Sequence, residues 1–81
     1  MARVTLYGKP GCHLCDEARA VVDAVRAERP FELEEVDVSL DPELHHRYGQ
    51  RIPVVAVEGE EVCELGLNPG AVRDRLGRVA P

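Results

Sequence analysis

Cys12 and Cys15 enclose His13 and Leu14 directly after a Pro10-Gly11 turn and at the head of an amphipathic stretch, so two thiols share one turn at a helix N-terminus. Free backbone N–H groups and the positive end of the helix dipole favour thiolate over thiol at such a position. A second sulfur three residues on can close a disulfide. The pair therefore points to thiol–disulfide exchange: Cys12 attacks a substrate disulfide, a mixed disulfide forms, and Cys15 releases the reduced substrate. Two other readings of the same spacing stay open. The cysteines can donate two ligands to zinc or to an iron–sulfur cluster, or they can be inert core thiols, which the exposing Pro-Gly turn argues against.

Other side chains bear on that chemistry. His13 lies between the sulfurs, where a partly protonated imidazole stabilises a thiolate, while Asp16 and Glu17 oppose that field. Lys9 offers positive potential to the thiolate or to a carboxylate on the substrate, and Arg51 does the same more weakly. Cys63 shares a strand face with Leu65 and reads as a buried structural thiol, with a third redox sulfur or a metal ligand as the alternatives. His45 and His46 are adjacent on a helix and point in different directions, which argues against a zinc pair.

The elements that must position these groups follow from periodicity and punctuation. Val4-Thr5-Leu6-Tyr7 is a short β-prone run closed by Gly8-Lys9-Pro10-Gly11. Leu14, Ala18, Val21, Val22 and Val25 recur at helical spacing until Pro30 stops the helix at about Arg29. Phe31 and Leu33 alternate with charges, and the phase slips at Glu34-Glu35 before Val36 and Val38, which predicts a strand with a bulge near its middle. Strand, helix and strand within 38 residues imply a right-handed βαβ unit with parallel strands. Asp41-Pro42 caps a second helix carrying Leu44 and Tyr48 and ending at Gly49. Ile52 to Val57, with Pro53 confined to its start, and Glu61 to Leu65 form a hairpin around Glu58-Gly59-Glu60. Asn68-Pro69 opens a last helix with Val72 and Leu76, ended by Gly77 before a frayed tail from Arg78 to Pro81. The order is βαβαββα, an α/β chain whose elements pack on one four-stranded mixed sheet as a single domain over residues 1–81.

Composition narrows the function classes. A chain of 81 residues with 44% apolar and 31% charged residues has room for one core and no separate substrate domain. The net charge is −5 and the arginines are scattered among carboxylates, which excludes nucleic acid and anionic membrane surfaces as partners. No apolar window approaches a membrane span, and the first residues have no apolar signal core, so a cytoplasmic location is expected. Three cysteines, two of them close-spaced, do not make a disulfide framework. A monomer without bound cofactor is the expected state.

The element order, the segment Tyr7-Gly8-Lys9-Pro10-Gly11-Cys12-His13-Leu14-Cys15 and the distant Ile52-Pro53 together resemble the thioredoxin-like superfamily, most nearly its small glutaredoxin-like members. The resemblance covers nearly the whole chain. It implies a thioredoxin-like fold, Cys12 as the exposed attacking thiolate, Cys15 as the more buried resolving thiol, and a cis Ile52–Pro53 bond facing them. It also implies a disulfide-containing protein or small thiol as substrate and a separate electron donor, with glutathione a candidate reductant. A dimeric cluster-binding module with Cys12 from each subunit is the alternative that the resemblance allows. The chain departs from glutaredoxins where they hold glutathione. Lys9 matches their usual lysine, but Arg51-Ile52-Pro53 replaces a common Thr-Val-Pro, and Cys63-Glu64 falls where a Gly-Gly pair is usual. Leu65-Gly66 follows where an acidic Cys-Asp step is expected.

Overall fold

The computed structural model describes residues 2–78. Along the chain run β1 (Arg3–Gly8), α1 (His13–Glu28), β2 (Glu32–Asp37), a 3-10 turn (Val38–Leu40), α2 (Pro42–Tyr48), β3 (Val54–Val57), β4 (Glu60–Glu64) and α3 (Pro69–Arg78). The strands form one mixed sheet in the order β2-β1-β3-β4, with β1 and β2 parallel and the other two neighbouring pairs antiparallel. A helical crossover is what parallel β1 and β2 require, and α1 supplies it. No helix among the described residues is long and apolar enough to cross a membrane.

Local chemistry sets the boundaries around the cysteines. β1 ends because Pro10 has no N–H for the ladder and Gly11 takes a left-handed φ of +80° that turns the chain. α1 begins on Cys12, whose extended backbone and sulfur occupy the N-cap position. It stops at Arg29, held extended before Pro30, with its N–H still bonded to the Val25 carbonyl at 2.9 Å.

The sheet is buried on both faces. Val4 and Leu6 of β1, Val55 and Val57 of β3 and the inner stripes of α1 and α3 form the larger core. Val54, Val38, Tyr48 and Ile52 gather with Cys15 in a smaller one. Strand alternation explains the division, since neighbouring residues of one strand point to opposite faces.

That division also corrects the expected bulge in β2. The β1–β2 register runs without interruption from Arg3↔Glu32 to Gly8↔Asp37. Phe31 and Leu33 face the larger core and Val38 the smaller, so the slip at Glu34-Glu35 records a change of core rather than an extra residue. The irregularity lies instead between β3 and β4, where Val55 pairs with Cys63 and Ala56 with Glu61, leaving Val62 as the extra residue.

Four smaller expectations change. Leu14 is 47% exposed, because the inner stripe of α1 runs through Cys15, Ala18, Val22 and Val25. β3 starts at Val54 rather than Ile52. Leu65 lies outside β4, 57% exposed and with φ +59°. α3 continues through Gly77 to Arg78, and the rest of the expected tail lies outside the described residues.

Candidate active site

The two sulfurs at the head of α1 are not equivalent. Cys12 is half-buried, and its Sγ accepts the Cys15 backbone N–H at 3.2 Å, an amide dipole aimed at the sulfur. Its own N–H donates to the Lys9 carbonyl at 3.4 Å, which ties the loop to the cap. Cys15, one turn on, is 7% exposed. Burial and the neighbouring Cys12 sulfur push its thiol up to about 11, against a backbone hydrogen bond from Lys9 that pulls it down. All three cysteines are free thiols.

Gly8, read from sequence only as part of a turn, closes the site from below. A Cβ at this position would stand 3.0 Å from Cys15 Sγ and 3.2 Å from Cys15 Cβ. No local signal marks this contact, since a glycine directly before Lys9-Pro10-Gly11 reads as the start of the turn. Behind Cys15 a cleft of about 400 Å³ opens between the start of α1 and the end of β2, with Lys9, Asp16, Arg19 and Glu35 on its walls.

On the opposite side lies the Ile52–Pro53 segment. Its peptide bond is cis and Pro53 is fully buried. Ile52 packs in the same small core as Cys15, and Cys12 rests against that core. Tyr48 braces it: its ring stacks on Tyr7 with centroids 4.2 Å apart, and the guanidinium groups of Arg47 and Arg51 lie 5.5 and 5.4 Å from the Tyr48 ring centre. Burial and the Tyr48 hydroxyl raise Tyr7 above the ordinary phenol value. The stack joins β1 to α2, a contact that no local spacing in the sequence marks.

Arg51 has a different role from the expected one. Its guanidinium meets Glu61 at 2.7 Å and Glu64 at 3.9 Å, and its carbonyl accepts the Leu65 N–H at 2.9 Å. Its charge is answered by β4, and it fastens the Pro53 segment to that strand. His13 is exposed, with Nε2 3.6 Å from Glu17 on the next turn. Lys9 is exposed and touches the cysteines through its backbone. Cys63 is only half-buried, its Sγ 3.9 Å from the Asn68 carbonyl, because the bulge turns both Val62 and Cys63 partly onto the larger core. Among the described residues no three His, Cys, Asp or Glu side chains gather as a metal-ligand set, His45 and His46 included. The cysteine pair alone would supply two of the four ligands that zinc takes.

Residues 3–77 match the model of the family described as Glutaredoxin-like domain (DUF836). The chain belongs to this family. Among solved structures it is similar to protein Ne2328 from Nitrosomonas europaea, at 29% identity and a TM-score of 0.81, over 91% of this chain and 89% of that one. Protein XcR50 from X. campestris is similar at 28% identity and a TM-score of 0.76, over 95% and 99% of the two chains. A mutant thioredoxin from Halobacterium salinarum aligns at 20% identity and a TM-score of 0.68, over 99% of this chain and 78% of that one, a likeness of fold. No curated protein matches the sequence. The glutaredoxin-like domain thus has a thioredoxin-like fold with a Cys12-x-x-Cys15 pair at the head of its first helix, an arrangement that suggests redox function.

Proposed function

We propose that this glutaredoxin-like domain is a dithiol thiol–disulfide oxidoreductase with Cys12 as nucleophile and Cys15 as resolving thiol. The observation that carries the reading is the inequality of the two sulfurs: one half-exposed on a helix cap with an N–H pointed at it, the other buried and held protonated one turn away. Cys12 attacks a substrate disulfide and displaces one substrate thiolate; Cys15 then loses its proton, attacks Cys12, and the second substrate thiolate leaves with that proton. The pair ends oxidised and the substrate reduced by two electrons. A separate electron donor must return the pair to the dithiol, and glutathione is one candidate.

The Ile52–Pro53 segment forms the second wall of the substrate groove. Pro53 has no N–H to compete for the sulfur, and the adjoining backbone is available to an extended substrate. Lys9 supplies a positive group next to the cysteine loop, and His13 lies between the two cysteines. The domain acts in the cytoplasm as a monomer, consistent with sheet edges crowded with carboxylates: Glu32, Glu34 and Glu35 on β2, Glu60, Glu61 and Glu64 on β4.

A trapping experiment tests the assignment. Cys15→Ser should accumulate a covalent mixed disulfide between Cys12 and a disulfide substrate, visible by intact mass and reversed by dithiothreitol, whereas Cys12→Ser should form none. Trapping through Cys63 instead, or an unchanged disulfide-reduction rate in Cys12→Ser, would sink it.

A further inference from the structure

We infer that Gly8 is a positioning residue for the second half of the exchange: the absence of a side chain at this point of β1 makes the seat from which the Cys15 sulfur reaches Cys12. The inference rests on the exchange reading above and adds a determinant of one step within it. Among the described glycines Gly11 and Gly59 have left-handed backbones, which account for them independently of any neighbour. Gly8 does not; it pairs in register with Asp37 as an ordinary strand residue. Gly8 is the last residue of β1, and the room left by its missing side chain is taken by a neighbouring group. Here that group is a sulfur. The missing Cβ would lie 3.0 Å from Cys15 Sγ, well inside the ordinary carbon contact distance of about 3.5–4.0 Å.

The consequence falls on one step. In the first, Cys12 Sγ attacks an outside disulfide, and nothing at position 8 lies between them. In the second, the Cys15 sulfur must approach the Cys12 sulfur in line with the bond to the substrate; the Cys12–Cys15 bond forms, the Cys12–substrate bond breaks, and the proton lost by Cys15 goes to the departing thiolate. Cys12 is the extended N-cap residue and Cys15 lies in the first turn, and a disulfide requires their Cβ atoms to stand roughly 3.5–4.5 Å apart, so the sulfurs have little latitude. A methyl on residue 8 presses on the Cys15 sulfur.

The test uses dithiobis(nitrobenzoate), whose coloured thiolate leaves once at each step, on proteins that all carry Cys63→Ala so that only the pair reacts. With Gly8→Ala the first release should keep its rate within about twofold, while the second slows by about tenfold or more, the scale of a sub-ångström misplacement of reacting atoms. Cys15→Ser should show the first release alone. Equal second phases with and without Gly8→Ala, or equal slowing of both phases, overturn the role of Gly8 and leave exchange standing. A second release that persists in Cys15→Ser overturns exchange through Cys15 itself. Should Gly8→Ala fold poorly, its unfolding penalty is compared in the Cys15 and Cys15→Ala backgrounds. The penalty should shrink once the sulfur is gone, and an undiminished penalty overturns the seat.

Discussion

Cys15 is held protonated by what covers it. Burial removes the solvation a thiolate needs, and the adjacent Cys12 sulfur adds to the cost, raising its thiol to about 11. Iodoacetamide reacts with thiolates, so Cys15 should stay unlabelled until the pH approaches about 11. Peptide mass spectrometry across pH reads this directly. Labelling of Cys15 as fast as Cys12 at neutral pH would remove the division of labour. Arg51 teaches the converse lesson. Its charge suggested an attraction for substrate, but the carboxylates that answer it, Glu61 and Glu64, come from a strand about ten residues away, and pairing of that kind is not written in local spacing.

The helices show capping at work. Asp41 Oδ1 accepts the Glu43 N–H at 2.9 Å and the Leu44 N–H at 3.5 Å, while Pro42 fixes the first helical residue of a seven-residue helix. So short a helix cannot stand on propensity. Asp41→Ala should cost about 1 kcal/mol, read as a lower urea midpoint with an unchanged slope. A loss below about 0.3 kcal/mol would mean that Tyr48 packing alone holds α2. These elements were legible from the sequence because caps, prolines and helical periods are local signals: Cys12, Pro30, Asp41-Pro42 and Asn68-Pro69 each lie at or next to an observed boundary. The bulge was not. A sheet buried on both faces lets consecutive apolar residues serve different cores, so the change of phase between Leu33 and Val36 looked like an insertion, and the actual one at Val62 left no such mark. The cysteine pair was legible as chemistry, but its seat on Gly8 and the Tyr7–Tyr48 brace depend on which strands and helices meet.

At the scale of the molecule, the raised Cys15 thiol ties stability to pH. The folded chain keeps a proton that the unfolded chain gives up near the ordinary value of 9.0, so between there and about 11 the unfolded state binds fewer protons. Stability is therefore fully present below that window and falls as pH rises through it. The urea midpoint of the reduced protein should drop between about pH 9 and about pH 11, and the drop should be smaller after Cys12 and Cys15 are oxidised, since the disulfide has no such proton to lose. Equal drops in the two forms would place the titrating group elsewhere, with Tyr7 the next to examine.

Cys15 belongs to the smaller core as well as to the reactive pair, packed with Val38, Tyr48, Ile52 and Val54. Architecture and the proposed exchange therefore share an atom. A lineage that dispensed with its second thiol would have to find a new filling for this interior before it could settle on the simpler chemistry, because a hydroxyl there wants a partner and a smaller side chain leaves a void. That gives Cys15 a reason to persist apart from the proposed exchange.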